Sequence, residues 1–256
     1  MSAVRTHGSV VIHGHFYQPP REDPWLDLVP LQKGAAPYHD WNERVEAESY
    51  RPVVEARILD ATGEVRRVMN CLEHMSFNFG PTLLSWMETH RPGTYEAVLA
   101  ADRVGLARTG HGGAIAMAFH HPILPLSTRR DKRTEIHWGI LDFRRRFGRH
   151  PEGMWLPETA VDHETLDVLA AEGIRFTIVA PHQLRILPQD GRPGLYRTAS
   201  GDTITVFPYD GALSHGVAFG EALKDAGRWV DELVEGRAAA REMAPDEADA
   251  MEGELS

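Results

Sequence analysis

The stretch GMWLPETAVDH, residues 153–163, runs from an apolar strand-like piece into Trp155, Pro157 and the carboxylate of Glu158, and then into a helix start. Asp162 is a good N-cap for a helix that ends near Gly173. The following IRFTIVAP, residues 174–181, reads as a second strand. A strand, a loop, a helix and another strand make a βαβ unit, which requires the two strands to run parallel in one sheet. Glu158 then stands where a buried strand ends, either as a catalytic acid at a strand mouth or as a solvated glutamate on an ordinary connection.

The same alternation extends in both directions. SVVIHGHF (9–16) reads as a strand, RPVVEARILDAT (51–62) as a helix, and VMNCLEHMSFNF (68–79) as a second strand with its exit loop. PTLLSWMETH (81–90) is a helix with Pro81 in its first turn, and GGAIAMAFHH (112–121) is a third strand. Ile136, Ile140, Phe143 and Phe147 fall on one helix face, Arg144 to Arg146 point mostly elsewhere, and Gly148 caps the end. GLYRTASGDTITVFPYD (194–210) predicts a hairpin through Ser200, Gly201 and Asp202, and residues 216–236 a closing helix.

This order predicts an α/β fold with a parallel sheet, either barrel or doubly wound, and both place their chemistry at the carboxyl ends of the strands. The unusual residues collect there. His13, His15 and Gln18 follow the first strand, Glu73, His74 and Asn78 the second, His120 and His121 the third, Glu158 the fourth, and His182 and Gln183 the fifth. Residues 17–50 form a long first βα connection, and connections of that length are functional more often than not. Its Trp25, Tyr38 and Trp41 either stack on sugar rings or pin the loop to the body.

Composition narrows the classes. No apolar run approaches the roughly 20 residues that cross a bilayer, and the apolar segment near the N-terminus is too short for a secretory leader, so a cytoplasmic protein is expected. A single cysteine, Cys71, excludes an intramolecular disulfide and a cysteine-based zinc cluster, and reads as a small core residue. A net charge of −10 argues against nucleic acid as a partner. Residues 231–256 carry −7 of it, which predicts one domain over 1–236 followed by an acidic, solvated tail over 237–256. The sequence has no Gly-x-Gly-x-x-Gly after the first strand, no Walker motif and no Gly-x-Ser-x-Gly elbow.

His13 and His15 alternate on one strand and so face the same side. With His120 or His121 they form either a divalent-metal ligand set or a hydrogen-bonding surface for a hydrophilic substrate. The carboxylates point to glycosyl transfer, which uses a pair of them. Glu158, beside Trp155, is the leading nucleophile.

Taken together, IHGHFYQPP, SFNFGPTLLSWME, GGAIAMAFHHPILPL and GMWLPETAVDHETLDVLAAEGIRFTIVAPHQ resemble glycoside hydrolase family 57, in its long bacterial alpha-amylase and alpha-mannosidase-like branch. The resemblance covers residues 8 to about 225. It implies a (β/α)7-type parallel barrel, a retaining mechanism without metal or cofactor, and oligo- or polysaccharide substrates of the α-glucan type. It also implies sugar contacts at His13, His15 and Gln18, the nucleophile at Glu158 and a subsite wall at Trp155. Trp25, His120, His121 and His182 complete the expected substrate-binding set.

The family's acid/base aspartate lies in an Asp-Gly-Glu motif, which this sequence lacks. Asp210, in FPYDGALSH, is the alternative acid/base or a site-lining residue, and the barrel is expected to be incomplete at its C-terminal side. Two rival readings remain: a metal-dependent deacetylase-like barrel ligated by His13, His15 and His120 or His121, and a carbohydrate-binding remnant without catalysis.

Overall fold

Six short parallel strands lie side by side in the order in which they occur along the chain. The computed structural model describes residues 10–184 and 192–233. Its strands are β1 (His13–Phe16), β2 (Ala56–Leu59), β3 (Val65–Met69), β4 (Ser76–Phe79), β5 (Ala116–Met117), β6 (Gly153–Trp155), β7 (Phe176–Val179), β8 (Gly194–Arg197) and β9 (Thr203–Pro208). β1 pairs with β4, and β5, β6, β7 and β9 pair in turn, all in parallel. A parallel bridge from Phe77 to Ala114 joins β4 to β5, with Phe77 N–H donating to the Gly113 carbonyl at 2.9 Å. β8 runs antiparallel along the outer edge of β9. Sequential neighbours all the way along make the sheet singly wound, the barrel topology, and exclude the doubly wound alternative.

Cross-sheet contacts prove the curl. β1 and β6 are three strand spacings apart, about 14 Å in a flat sheet. The Trp155 ring nevertheless stacks at 5.1 Å from the ring of His13 and 4.6 Å from that of His15. Among the described residues no strand joins β1 to the β9–β8 edge, so the arc stays open.

The helices are α1 (Trp41–Val45), α2 (Arg51–Val54), α3 (Pro81–His90), α4 (Pro92–Thr109), α5 (Arg129–Phe147), α6 (His163–Ala171) and α7 (Gly211–Ala218). Thr128 caps α5 by accepting from Asp131 N–H, and Gly148 ends it in the left-handed region. As expected, Asp162 caps α6, accepting from Thr165 N–H. Ile136, Ile140 and Phe143 of α5 are buried in one core with Met154, Leu166, Leu169 and Val179. α5 lies so close to β5 that a Cβ on Gly139 would stand 2.1 Å from the Met117 carbonyl oxygen, so only glycine fits there. No helix among the described residues is long and apolar enough to cross a membrane.

Several expectations need correction. The helix over 51–62 ends at Val54, and β2 and β3 form an exposed antiparallel hairpin in its place. Asp60 makes this turn, its carboxylate accepting from Thr62 and Glu64 N–H while Gly63 takes φ +83°. That Asp-x-x-Gly turn chemistry overrides the weak helical spacing around it. Glu73 and His74 consequently sit in a turn ahead of β4, at the opposite end of the sheet from the other candidates, and Cys71 in the same turn is half-buried rather than core.

Arg146 does not point outward. Its buried guanidinium donates to Asp142, Glu88, Ser85 and the Tyr95 hydroxyl, a satisfied network between α3, α4 and α5. The closing helix over 216–236 is interrupted: α7 stops at Ala218, and a second helical stretch begins only at 226. The hairpin through Ser200, Gly201 and Asp202 is present, with β8 and β9 in the register Arg197 to Thr203. The long first connection carries structure of its own from Lys33 onward. The acidic segment 237–256 lies outside the described residues.

Candidate active site

Strand parity and register build the centre of the site. His13 lies beside Ser76 and His15 beside Asn78, so all four side chains share the inner face, while Phe16 and Phe79 stack at 4.5 Å on the helix side. Ser76 Oγ lies 3.0 Å from His13 Nδ1, and His13 Nε2 lies 3.0 Å from Asn78 Oδ1. Asn78 Nδ2 lies 3.0 Å from His15 Nδ1 and 3.4 Å from Met117 Sδ.

His15 Nδ1 also lies 3.2 Å from Asn78 Oδ1, and with its shorter contact, to Nδ2, taken as the bond, one assignment serves all four side chains. The Ser76 hydroxyl donates to His13 Nδ1, His13 Nε2–H donates to Asn78 Oδ1, and the Asn78 amide donates to His15 Nδ1. Both imidazoles are then neutral, and His15 presents Nε2–H as a donor. Desolvation drives both pKa values down, to about 4 for His13, against a partial rise from the Asn78 hydrogen bond. Asn78 is fully buried. Around it His13 and Ser76 are half-buried and His15 is more exposed, and a polar network anchored on a buried residue rigidifies a site.

Aromatic rings line the approach. Tyr17 stacks on His121 at 3.9 Å, and His121 faces His15 at 6.0 Å, which in turn lies on Trp155. Desolvation lowers the His121 pKa and raises that of the Tyr17 hydroxyl. A smaller contribution from the Glu158 carboxylate partly offsets the lowering at His15 and His121 and adds to the rise at Tyr17, which ties it electrostatically to all three.

Glu158 reaches this position through an unusual turn. Leu156 and Pro157 are buried, Glu158 is exposed, and Thr159 is buried again. Thr159 N–H donates to the Leu156 carbonyl at 2.9 Å and Ala160 N–H to the Pro157 carbonyl at 3.0 Å. Glu158 takes φ +55° and Thr159 φ +53°. The first turn thus has type II form with Glu158 where glycine belongs, and the second demands φ above zero at both central residues. A left-handed residue other than glycine costs roughly 1–2 kcal/mol, and a β-branched one is a true outlier. Among the described residues four non-glycine positions have positive φ, and three of them, His121, Glu158 and Thr159, belong to this rim. Such strain collects at functional sites.

The other expected residues divide. Gln18 stands at the same strand end with its amide committed, accepting from Arg21 Nη2 at 2.6 Å and donating to the Tyr50 hydroxyl at 3.3 Å. His120 is turned away from His121, with its ring on Glu135 at 2.9 Å and edge-on to Trp138. Backbone geometry separates the pair, since His121 has φ +59°. Trp25 is 91% exposed on a tight turn apart from the ring stack. His182 is exposed in the turn Pro181–Gln183 that follows β7. Asp210 follows β9 and caps α7, its Oδ1 accepting from Leu213 N–H at 2.9 Å.

The deacetylase alternative loses its ligand set here. His120 faces elsewhere, Asn78 lies between His13 and His15, and among the described residues no group of three or more His, Cys, Asp or Glu is disposed to hold a metal ion. Sequence reasoning missed Ser76, Tyr17 and Met117. The first two were detectable, because Tyr17 keeps the parity of His13 and His15, and SFNF repeats the inward polar alternation of HGHF.

The sequence profile described as Glycosyl hydrolase family 57 matches residues 13–244. A 4-alpha-glucanotransferase of Thermococcus litoralis is 24% identical over 180 residues, covering 69% of this chain and 25% of the relative. An alpha-amylase of Pyrococcus abyssi is 23% identical over the same shares of the two chains. The chain therefore spans about a quarter of the length of these curated relatives. The crystal structure of the Thermococcus litoralis 4-alpha-glucanotransferase superimposes with a TM-score of 0.56 at 22% identity, over 82% of this chain and 29% of that one. A presumed polysaccharide deacetylase from Mycobacterium smegmatis matches with a TM-score of 0.51 at 16% identity, over 93% and 77% of the two chains. At these identities the structural likenesses speak to fold alone.

Proposed function

The chain belongs to glycosyl hydrolase family 57, and from that premise we propose that it supplies the nucleophile and the sugar-binding wall of a retaining enzyme acting on α-glucans. The observation that carries this reading is the strained turn that holds an exposed Glu158 at the carboxyl end of β6, beside Trp155 and within electrostatic reach of His15, His121 and Tyr17.

In this mechanism a Glu158 oxygen attacks the anomeric carbon, the bond from C1 to the leaving oxygen breaks, and that oxygen takes up a proton from solvent. A covalent glycosyl-enzyme forms, and water or a sugar hydroxyl then opens it, giving hydrolysis or transfer. Trp155 offers an apolar face to the sugar ring, and His15 Nε2–H donates to a hydroxyl. The buried Trp155 Nε1–H and His121 Nε2, which lack protein partners among the described residues, are spare polar groups for the same task. Asp210 serves as the cap of α7 in this reading. We extend the proposal to an oligo- or polysaccharide as the partner and the cytoplasm as the location, in keeping with an acidic chain holding one cysteine.

A fluorinated glucosyl fluoride, 5-fluoro-α-glucosyl fluoride, tests the first step without a general acid, because fluoride departs unassisted. Wild-type protein should gain one glycosyl mass, mapped to the peptide carrying Glu158, and Glu158→Gln should gain none. A wild-type chain left unlabelled, or a label on another residue, would sink the reading.

A further inference from the structure

We propose that Gln183 and Thr159 form a latch that holds the left-handed turn Pro157–Thr159 in place, making both of them positioning residues for Glu158. The inference rests on the reading of Glu158 as nucleophile and adds how its carboxylate is aimed.

Two successive left-handed residues, one of them β-branched, do not keep that conformation by local preference. Something outside the turn must over-determine it. Leu156 and Pro157 anchor its first half by burial, at 0% exposure for Leu156. The second half has Thr159, 8% exposed, whose Oγ1 receives Gln183 Nε2–H at 3.4 Å from the turn that follows β7. A threonine hydroxyl both donates and accepts, so either orientation of the Gln183 amide keeps the link. The opposite end of that amide, Oε1, is buried with no protein partner among the described residues. A half-buried glutamine with one shielded amide end left over is tolerated where position outranks local stability.

The bond crosses from one strand end to the next. β6 and β7 pair with Trp155 opposite Ile178, so the loops that leave them emerge side by side, and the latch couples the nucleophile's turn to the neighbouring loop. With the latch broken, Glu158 remains attached to a folded sheet but loses its aim.

The test reads aim and fold separately. Thr159→Val keeps the branched shape and removes the hydroxyl, and Gln183→Ala removes the other partner. Each should slow labelling of Glu158 by 5-fluoro-α-glucosyl fluoride roughly tenfold at saturating reagent, with half-saturation unchanged. Thr159→Ser should restore the wild-type rate, and the double variant should be no slower than either single one. Hydrogen exchange at Thr159 N–H and Ala160 N–H, which involves no turnover, should quicken about tenfold in Gln183→Ala while the β6 amides hold.

Labelling rates unchanged in both variants, or single losses that multiply in the double variant, would overturn the latch and leave Glu158 as nucleophile. Wild-type protein that takes no label would overturn the nucleophile reading, and the exchange rates then decide the latch by themselves. Unchanged exchange in Gln183→Ala counts against it in every case.

Discussion

The inner face of the sheet is built in two different ways. Along β1, β4, β5 and β6 its side chains contact one another: Asn78 and Met117 are buried, and the half-buried Trp155 reaches the half-buried His13 and the more exposed His15 across the curl. Along β7 and β9 it is open. Phe176 and Ile178 are only half-buried there and Phe207 is 38% exposed, while the helix-facing Thr177, Val179 and Ile204 of the same strands are fully buried. The helix layer therefore holds both halves, whereas interior packing holds only the first. A strand face is buried only if something stands opposite it, and among the described residues nothing faces β7 and β9 from inside. Every member of the ring stack and the imidazole network belongs to the packed half.

Replacing Asn78 by leucine should break this contrast most severely. The substitution nearly preserves volume but leaves His13 Nε2 and His15 Nδ1 without their partner, at about 1–3 kcal/mol for each buried group. A urea midpoint lowered by the equivalent of roughly 3–5 kcal/mol is expected. A loss below about 1 kcal/mol would mean that the polar network contributes little to the packed half.

Acid should attack the same half. With its pKa lowered from 6.5 to about 4, His13 binds a proton less readily when folded than when unfolded. Its contribution is therefore fully present above pH 6.5 and is lost as pH falls from 6.5 toward 4, by about 3 kcal/mol in all. His15 is shifted in the same direction and adds to this slope. Urea unfolding at pH 7, 5.5 and 4 measures it, and His13→Gln should flatten it. Stability that rises on acidification would contradict the neutral imidazoles.

The smallest effect should fall on the open half. Phe207→Ala removes a 38% exposed ring whose aromatic neighbour is Phe176, edge-on at 5.6 Å on the adjacent strand, and should shift stability by about 1 kcal/mol, whereas Ile204→Ala, on the helix side of the same strand, should remove about 2–4 kcal/mol. Equal losses at the two positions would show that the inner face of β9 is packed after all.

Much of the fold was legible because its signals are local. The Asp162 cap, the apolar face of α5 and the hairpin around Gly201 each follow from a few neighbouring residues, and each is found where the pattern places it. The failures also have local causes. At 51–62 the Asp60 turn competed with a helical spacing, and tertiary context let the turn prevail. Arg146 was misjudged because charge was taken to mean exposure, whereas Asp142 one turn away and three partners on neighbouring helices make its burial tolerable. Of the expected site residues, His13, His15, His121, Trp155 and Glu158 come together, His120 and Trp25 stand apart from them, and Asp210 caps α7 at the carboxyl end of β9.

The sequence by itself determined the alternation of strands and helices, the matching inward sides of His13 and His15, and the presence of a glutamate at a strand end, because period and parity are properties of the local backbone. Only the tertiary structure decided that His121 joins the site while its neighbour His120 leaves it, that Asn78 binds two imidazoles at once, and that Glu158 is carried on two left-handed residues. Those outcomes depend on how far the sheet curls and on what each loop meets at the rim, and distances of that kind come into being only when strands far apart in the chain pack together.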